Sequence, residues 1–235
     1  LTVPVILRLQ GNMQLELLKP EMLMQEEGIE STVVLFGGAR IPAPGEEPNG
    51  KNEIQNKNLK KYSKFYDVAR EFAILCSEHS ATTDHSEFVI CSGGGPGVME
   101  AANKGASEVG APSIGLNIVL PHEQAPNIYV TPELSFQFHY FAIRKMHFLM
   151  RAKAITAFPG GYGTMDELFE TLTLIQTKRV APMPIILFSE EFWRSIINFE
   201  ALADAGTISP DDLDLFKFAE TAEEGWDIIA NWWKL

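Results

Sequence analysis

The nine residues 159–167 combine types that could bind an anion and move a proton. An apolar run at 154–158 precedes them and an amphipathic run at 168–175 follows, a pattern typical of a strand, a turn and a helix start. Glycines let the backbone approach a ligand closely, and the free N–H groups of a helix start favour an anion. We therefore predict a phosphate-binding turn here. Its backbone groups belong to Gly160, Gly161, Gly163 and Thr164.

Two neighbouring carboxylates, Asp166 and Glu167, lie in the first turn of the predicted helix. Beside an anion site, Glu167 is a candidate catalytic acid or base. Two structural interpretations stay open. Thr164 and Glu167 have the spacing of a capping box, in which Glu167 would only close the helix start. Asp166 would then be a solvated charge that is favourable to the helix dipole.

A second glycine-rich turn, Gly93–Gly97, follows the apolar run 88–91. It could place Gly94 and Gly95 against a phosphate. It lacks the dinucleotide fingerprint, because Val98 stands where the last glycine is needed and no ribose-binding acid follows at the expected distance. This favours a mononucleotide over NAD, and a tight strand-to-helix turn without a ligand is the structural alternative.

Basic residues cluster just before the strand at 154–158. A helix predicted over 134–152 places Arg144, His147 (or Phe148) and Arg151 on one face, with Lys145 about a quarter-turn away. Since this helix leads directly into the strand, we expect Arg144 to reach the glycine turns. A solvated surface stripe is the alternative.

The segment Gly45–Asn52 resembles a P-loop in its spacing. Asn52 replaces the required Ser or Thr, and Glu46 and Glu47 would repel a phosphate. We interpret it as part of a surface loop at 42–58. The histidines have no metal-ligand pattern, so no metal and no cofactor are predicted.

Strands alternating with helices, each strand a continuous apolar run, predict an α/β fold. We expect a Rossmann-like, doubly wound parallel sheet with helices on both faces, as a single domain at 31–235 after an arm or helix at 1–30. The predicted strands are 33–36, 88–91, 113–117, 154–158 and 184–188, with a short one at 128–130. The other predicted helices are 62–77, 96–109, 164–177, 191–203 and 222–233, and a second loop is predicted at 79–86.

The composition limits the classes of partner. The chain has 235 residues, 46% hydrophobic content and a net charge of −12, which argues against a broad nucleic-acid or acidic-membrane surface. Its two cysteines form no disulfide framework, so a reducing, cytoplasmic compartment is expected. No apolar run is long enough to span a membrane, and no signal peptide is predicted.

Four segments together resemble the Lonely Guy (LOG) family of Rossmann-like nucleotide-binding proteins, often labelled lysine decarboxylase-like. They are Phe-Gly-Gly-Ala-Arg at 36–40, Ser-Gly-Gly-Gly-Pro-Gly-Val-Met-Glu-Ala-Ala-Asn at 92–103, Arg-Lys at 144–145 and Pro-Gly-Gly-Tyr-Gly-Thr-Met-Asp-Glu at 159–167. The resemblance covers roughly residues 32–233. No lysine lies in a recognisable pyridoxal-phosphate setting, so the decarboxylase label has little chemical support.

The resemblance implies a phosphoribohydrolase, which cleaves the N-glycosidic bond of a nucleoside 5′-monophosphate to give a free base and ribose 5-phosphate. The base would be a cytokinin or another purine, as in AMP. Family members are dimers or larger. A non-catalytic nucleotide or molybdenum-cofactor carrier and an NAD-type oxidoreductase are the alternatives. The resemblance places the catalytic pair at Arg144 and Glu167, and we expect substrate contacts from Gly94, Gly95, Lys145, Gly160, Gly161, Tyr162, Gly163, Thr164 and Asp166.

Overall fold

The computed structural model describes residues 3–119 and 125–235 of the chain. Their strands form one parallel sheet in the order β4-β3-β2-β1-β5-β6-β7. The strands are β1 (Thr32–Phe36), β2 (Val89–Ser92), β3 (Ser113–Ile118), β4 (Ser135–Phe138), β5 (Ala152–Ala157), β6 (Ile185–Phe188) and β7 (Lys217–Ala219). The predicted α/β class and parallel sheet are confirmed.

Helices cover both faces of the sheet, as predicted. Because the central strands are buried on both faces, they consist of continuous apolar runs such as Val33-Val34-Leu35-Phe36 in β1. The helices are α1 (Val3–Glu26), α2 (Glu53–Tyr62), α3 (Lys64–Ser80), α4 (Val98–Glu108), α5 (Phe141–Met150), α6 (Tyr162–Gln176), α7 (Glu190–Ile196), α8 (Phe199–Asp204) and α9 (Ala222–Trp233). No helix among the described residues is long and apolar enough to cross a bilayer.

The strand order reverses at β1. The chain runs outward from β1 through β2 and β3 to β4, then returns to pair β5 with the other side of β1. In open parallel sheets, ligands bind in the crevice outside the carboxyl ends of the strands at such a reversal. The glycine turns after β1, β2 and β5 all lie at this point.

The predicted helix at 134–152 is wrong in its first half. Pro132–Leu134 form a 3-10 turn, β4 is an edge strand, and α5 begins at Phe141. In β4, buried Phe136 and Phe138 alternate with the less buried Ser135 and Gln137. That period of two is typical of a strand.

The predicted loop at 42–58 is wrong from residue 53 onward. Asn52 caps α2, its side chain accepting the N–H of Gln55 at 2.9 Å. The other predicted loop, 79–86, begins too early, since α3 runs to Ser80 and a 3-10 turn follows at Ala81–Thr83. The first error arises because α2 is polar and none of its residues is buried.

Three smaller predictions also differ from the structure. Residues 128–130 form a turn and not a strand, and the helix predicted over 191–203 is interrupted at Ile197 to give α7 and α8. The sequence prediction omitted β7. The sequence also predicts a proline-bounded connection at 121–132, of which residues 121–124 lie outside the described residues.

Helix α1 spans most of the predicted arm at 1–30 and packs against α5. Its Glu16 carboxylate accepts the backbone N–H groups of His139 and Tyr140 at 3.0 and 3.2 Å. Glu21 pairs with Arg151 just after α5. The helix therefore helps to hold the element that carries Arg144, and the domain boundary at residue 30 stays a prediction.

Candidate active site

Three turns are joined by backbone hydrogen bonds at the reversal of strand order. The Gly38 N–H, after β1, donates to the Pro159 carbonyl, after β5, at 3.0 Å. The Gly38 carbonyl accepts the N–H of Val98, the first residue of α4, at 3.4 Å. Gly97 has a φ of +69°, and a Cβ there would collide with that same carbonyl, so this position requires glycine.

A buried amide network holds the turn at 93–97 in place. Asn103 accepts the Ser92 hydroxyl at 2.7 Å, and that hydroxyl accepts the Gly94 N–H at 3.0 Å. The Asn127 amide donates to Asn103 at 2.9 Å and to the Gly95 carbonyl at 3.1 Å. The turn is therefore preorganised by side chains behind it, which leaves its front surface for a ligand.

The start of α6 has no side-chain cap. Gly161 is the capping position, and Thr164 is the third helical residue, buried against Gly160. The capping-box interpretation of Thr164 and Glu167 is therefore wrong. A Cβ added at Gly161 or Gly163 would meet no atom within 4 Å, so open space lies in front of these residues.

Arg144 lies beside both the second turn and Glu167. Its Nε donates to the Leu116 carbonyl at 2.7 Å, and its Nη1 donates to Glu167 Oε1 at 3.1 Å. The guanidinium also lies 4.9 Å from the centre of the Phe148 ring. A Cβ at Gly93 would lie 2.6 Å from Arg144 Nη2, so only glycine leaves room for this side chain.

The surface-stripe interpretation of these basic residues is wrong. Arg144 is 8% exposed and His147 is 3% exposed, while Arg151 pairs with Glu21. Burial lowers the pKa of His147. The arginine that reaches the glycine turns is therefore part of the interior of the site and not of a solvated face.

The Glu167 side chain is largely buried, with 13% of its surface exposed. Burial raises the pKa of its carboxyl to about 7, although the positive charge of Arg144 acts in the opposite direction. A carboxyl with this pKa can give or take a proton near neutral pH. The ion pair is consequently suited to acid–base chemistry next to an anion site.

Two connected chambers open in front of this pair. The smaller, about 220 Å³, is lined by Glu167, Arg144 and the open glycines of α6, and the larger is about 900 Å³. Ala39, Gly93, Met99 and Arg144 line both chambers. A ligand that extends from one chamber to the other would pass these four residues, Arg144 among them.

Three predicted substrate contacts lie elsewhere. Lys145 Nζ forms ion pairs with the carboxylates of Asp166, at 2.7 Å, and Glu170, at 3.1 Å. Burial lowers the pKa of Lys145, but these bonds outweigh it and the net shift is upward. With Tyr162, which is 93% exposed, Lys145 and Asp166 line a shallow groove of about 630 Å³ on the outer side of α6.

Several cavity residues were not predicted as site residues from the sequence. The first turn, 37–39, was noted only because it resembles a segment of the LOG family. Its position at the reversal of strand order would have indicated that it belongs to the ligand site. Met99 and Glu100 also line the larger chamber and were noted only as part of the resembling segment 92–103. Tyr66 and Asn117 line it as well, and no local sequence signal marked them. The loop containing Glu46 and Lys51 lines the same chamber, although it forms no P-loop.

Among the residues that the structure describes, no three His, Cys, Asp or Glu side chains are grouped as metal ligands would be. Cys91 is buried, and burial raises the pKa of its thiol.

Gly160 packs against Thr164. Of the predicted residues, Gly95, Gly161, Gly163 and Thr164 line the two chambers together with Arg144 and Glu167.

A family model described as "Possible lysine decarboxylase" matches residues 99–229, more than half of the chain. The chain is 26% identical over 140 residues to cytokinin riboside 5′-monophosphate phosphoribohydrolase LOG3 of Arabidopsis thaliana, covering 58% of this chain and 63% of that protein. It is 31% identical over 91 residues to the probable cytokinin riboside 5′-monophosphate phosphoribohydrolase LOGL3 of Oryza sativa subsp. japonica, covering 38% and 43%. The chain thus spans less than two thirds of the length of these curated relatives.

Two solved structures share the fold. The molybdenum cofactor binding protein of Rippkaea orientalis has a TM-score of 0.54 at 18% identity, over 86% of this chain and 96% of that one. The Moco carrier protein of Chlamydomonas reinhardtii has a TM-score of 0.53 at 18% identity, over 88% and 99%. At this identity the likeness concerns the fold alone.

The family match includes α5, the turn after β5 and α6, and so it contains both Arg144 and Glu167. It begins at Met99, the second residue of α4. The chain therefore belongs to the family described as possible lysine decarboxylase, which is the family of the LOG proteins.

Proposed function

We propose that the protein is a nucleoside 5′-monophosphate phosphoribohydrolase. The observation that carries the proposal is the buried Arg144–Glu167 pair, 3.1 Å apart, in a chamber bounded by uncapped glycines of a helix start. One part of this chamber suits a phosphate and the other suits proton transfer. The curated relatives carry the same activity in their names.

The 5′-phosphate occupies the smaller chamber, which is lined by Gly161, Gly163 and Thr164 at the start of α6. The free N–H groups of a helix start can bind such an anion. A protein of net charge −12 must hold such an anion locally. Backbone donors and the helix dipole provide attraction without a large positive surface. The ribose then lies at Arg144, where the two chambers join.

Glu167 acts on the water and on the sugar. Its carboxylate takes a proton from water as the water oxygen bonds to the anomeric carbon. The bond from that carbon to the base nitrogen breaks and its electron pair leaves with the base. Glu167 releases the proton that it took from water, and the base nitrogen takes up one proton, so that water is added across the broken bond. The same negative charge stabilises the oxocarbenium-like transition state, and Arg144 holds the carboxylate in position.

A nucleotide or molybdenum-cofactor carrier is the second candidate. The fold likeness to two molybdenum-cofactor proteins favours it, because such a ligand also has an anionic group to place on the glycine turns. A carrier has no need of a carboxyl whose pKa is held near neutrality by burial beside an arginine. The Arg144–Glu167 pair therefore favours the hydrolase.

Incubation of the protein with a panel of nucleoside monophosphates tests the proposal. Chromatography of the mixture is expected to detect free base and ribose 5-phosphate in equal amounts. Nucleotide binding without any free base would favour the carrier. Neither binding nor release across purine and pyrimidine monophosphates would overturn both.

A further inference from the structure

The larger chamber contains a hydrogen-bonded pair that the reaction does not use. The Tyr66 hydroxyl, on α3, donates to Glu100 Oε1, on α4, at 2.9 Å. Tyr66 is 4% exposed, and both residues line the 900 Å³ chamber. This chamber lies beyond Arg144 from the phosphate site, where a nucleotide bound as proposed would place its base.

The pair presents only acceptors to that chamber. A carboxylate has no hydrogen to donate, and the Tyr66 hydroxyl already donates its only hydrogen bond to Glu100. Among the described residues, Glu100 has no lysine or arginine partner. Its second oxygen and the tyrosine oxygen can therefore accept N–H donors from a ligand.

We propose that Tyr66 and Glu100 recognise the base and select nucleotides whose base carries an exocyclic amino group. The inference rests on the proposed function, because it places the 5′-phosphate in the smaller chamber. An amino group offers two donors to the carboxylate. A carbonyl oxygen at the same ring position would meet the carboxylate as a second acceptor, and both would lose hydrogen bonds to water.

Two matched pairs of nucleotides differ by this exchange, AMP with IMP and CMP with UMP. The ring nitrogen beside the exchanged group also changes, from an acceptor in AMP and CMP to an N–H donor in IMP and UMP. The unmodified protein is expected to favour the amino member of each pair in kcat/KM by about tenfold or more, the usual effect of a hydrogen bond to a charged group. Equal kcat/KM and equal affinity within both pairs would overturn the inference.

The Glu100→Gln variant is the sharpest test of the residue. An amide can donate as well as accept, so the carbonyl bases gain a partner and the AMP-to-IMP ratio is expected to fall about tenfold. Tyr66→Phe, which removes the bond that orients the carboxylate, is expected to lower the ratio less. If the pair only joins α3 to α4, both variants lose stability without a change in the ratio.

Glu47→Gln is the matched control, since it removes an exposed carboxylate from the same chamber and is expected to keep the ratio. An equal fall in this variant would assign the effect to net charge and contradict the role of Glu100. If Glu100→Gln does not fold, the unmodified protein and Tyr66→Phe decide the question.

Dissociation constants for the same four nucleotides separate this inference from the proposed function. A protein that prefers AMP to IMP in binding but releases no base would overturn the hydrolase and support the recognition. A protein that releases base equally from both would do the reverse.

Discussion

At the scale of single residues, Glu167 and Arg144 depend on each other and on burial. Desolvation raises the pKa of the carboxyl to about 7, and the guanidinium 3.1 Å away limits that rise. Arg144 is fixed in turn by the Leu116 carbonyl and the Phe148 ring. The site thus holds a carboxyl that changes its charge in the physiological range.

The pH dependence of hydrolysis follows from this pKa. If the carboxylate is the active form, kcat/KM for AMP rises with pH, with a midpoint at about 7, and levels off above it. Steady-state kinetics between pH 5 and pH 9 measure the profile. The second ionisation of a phosphate monoester, at about 6, contributes its own transition.

The affinity for ribose 5-phosphate over the same pH range identifies the transition that belongs to the phosphate. A value of kcat/KM that falls as pH rises through 7 would contradict the role of Glu167 as a general base. It would indicate that the protonated Glu167 acts as a general acid.

At the scale of elements, the individual glycines of the turns have different structural roles. Gly97 permits a close backbone crossing, Gly93 leaves room for Arg144, and Gly163 faces open space at the start of α6. The sequence indicates a candidate phosphate site in the Gly93–Gly97 turn as a whole and a substrate contact at Gly163. Only the structure distinguishes those that a neighbouring chain segment requires from those that leave room for a ligand.

Gly163→Ala tests the phosphate site. Alanine fits the helical backbone and is a better helix former by about 1 kcal/mol, so the free energy of unfolding should stay equal or rise. The added methyl group occupies the space assigned to the phosphate, and KM for AMP should rise about tenfold or more. Urea unfolding and steady-state kinetics provide the two measurements.

Gly11→Ala is a matched control for that substitution, because Gly11 is also helical and has no neighbour within 4 Å of a Cβ. It is expected to leave KM unchanged. An unchanged KM in Gly163→Ala as well would place the phosphate elsewhere.

Helix α1 stabilises the amino end of α5 through Glu16. In Glu16→Ala the N–H groups of His139 and Tyr140 lose their acceptor, so the free energy of unfolding is expected to fall by about 1–2 kcal/mol. Urea denaturation measures the change. Glu26→Ala, an exposed position on the same helix, serves as the control, and equal stability of both variants would contradict this role.

At the scale of the whole molecule, more of the fold than of the site could be predicted from the sequence. Alternating apolar runs and helical patterns were enough to predict the parallel sheet, because buried strands need apolar residues on both faces. Edge strand β4 was missed, since a strand of four residues resembles the start of the adjoining helix. Lys145 and Asp166 were assigned to the substrate because a motif does not specify where a side chain points, and here they pair with each other.

Self-association was expected from the resemblance to the LOG family, and we propose that it uses α1 and α5. These helices pack together, and each leaves large apolar side chains exposed, among them Leu18 at 54% and Met146 at 45%. Leu18→Lys is expected to convert an oligomer to a monomer in size-exclusion chromatography with light scattering. Ile54→Lys, on the remote α2, is the control, and an unmodified protein that is monomeric would contradict the proposal.

The most direct test of the proposed mechanism compares base release from AMP by the unmodified protein, Glu167→Gln and Glu170→Gln, with AMP affinity measured in parallel. Glu170 lies one turn further along α6 and is not assigned to the site. Glu167→Gln is expected to bind AMP but to release adenine at least about 100-fold more slowly than the unmodified protein. Glu170→Gln is expected to keep its activity. Adenine release at the unmodified rate by Glu167→Gln would contradict the role of Glu167 and the mechanism built on it.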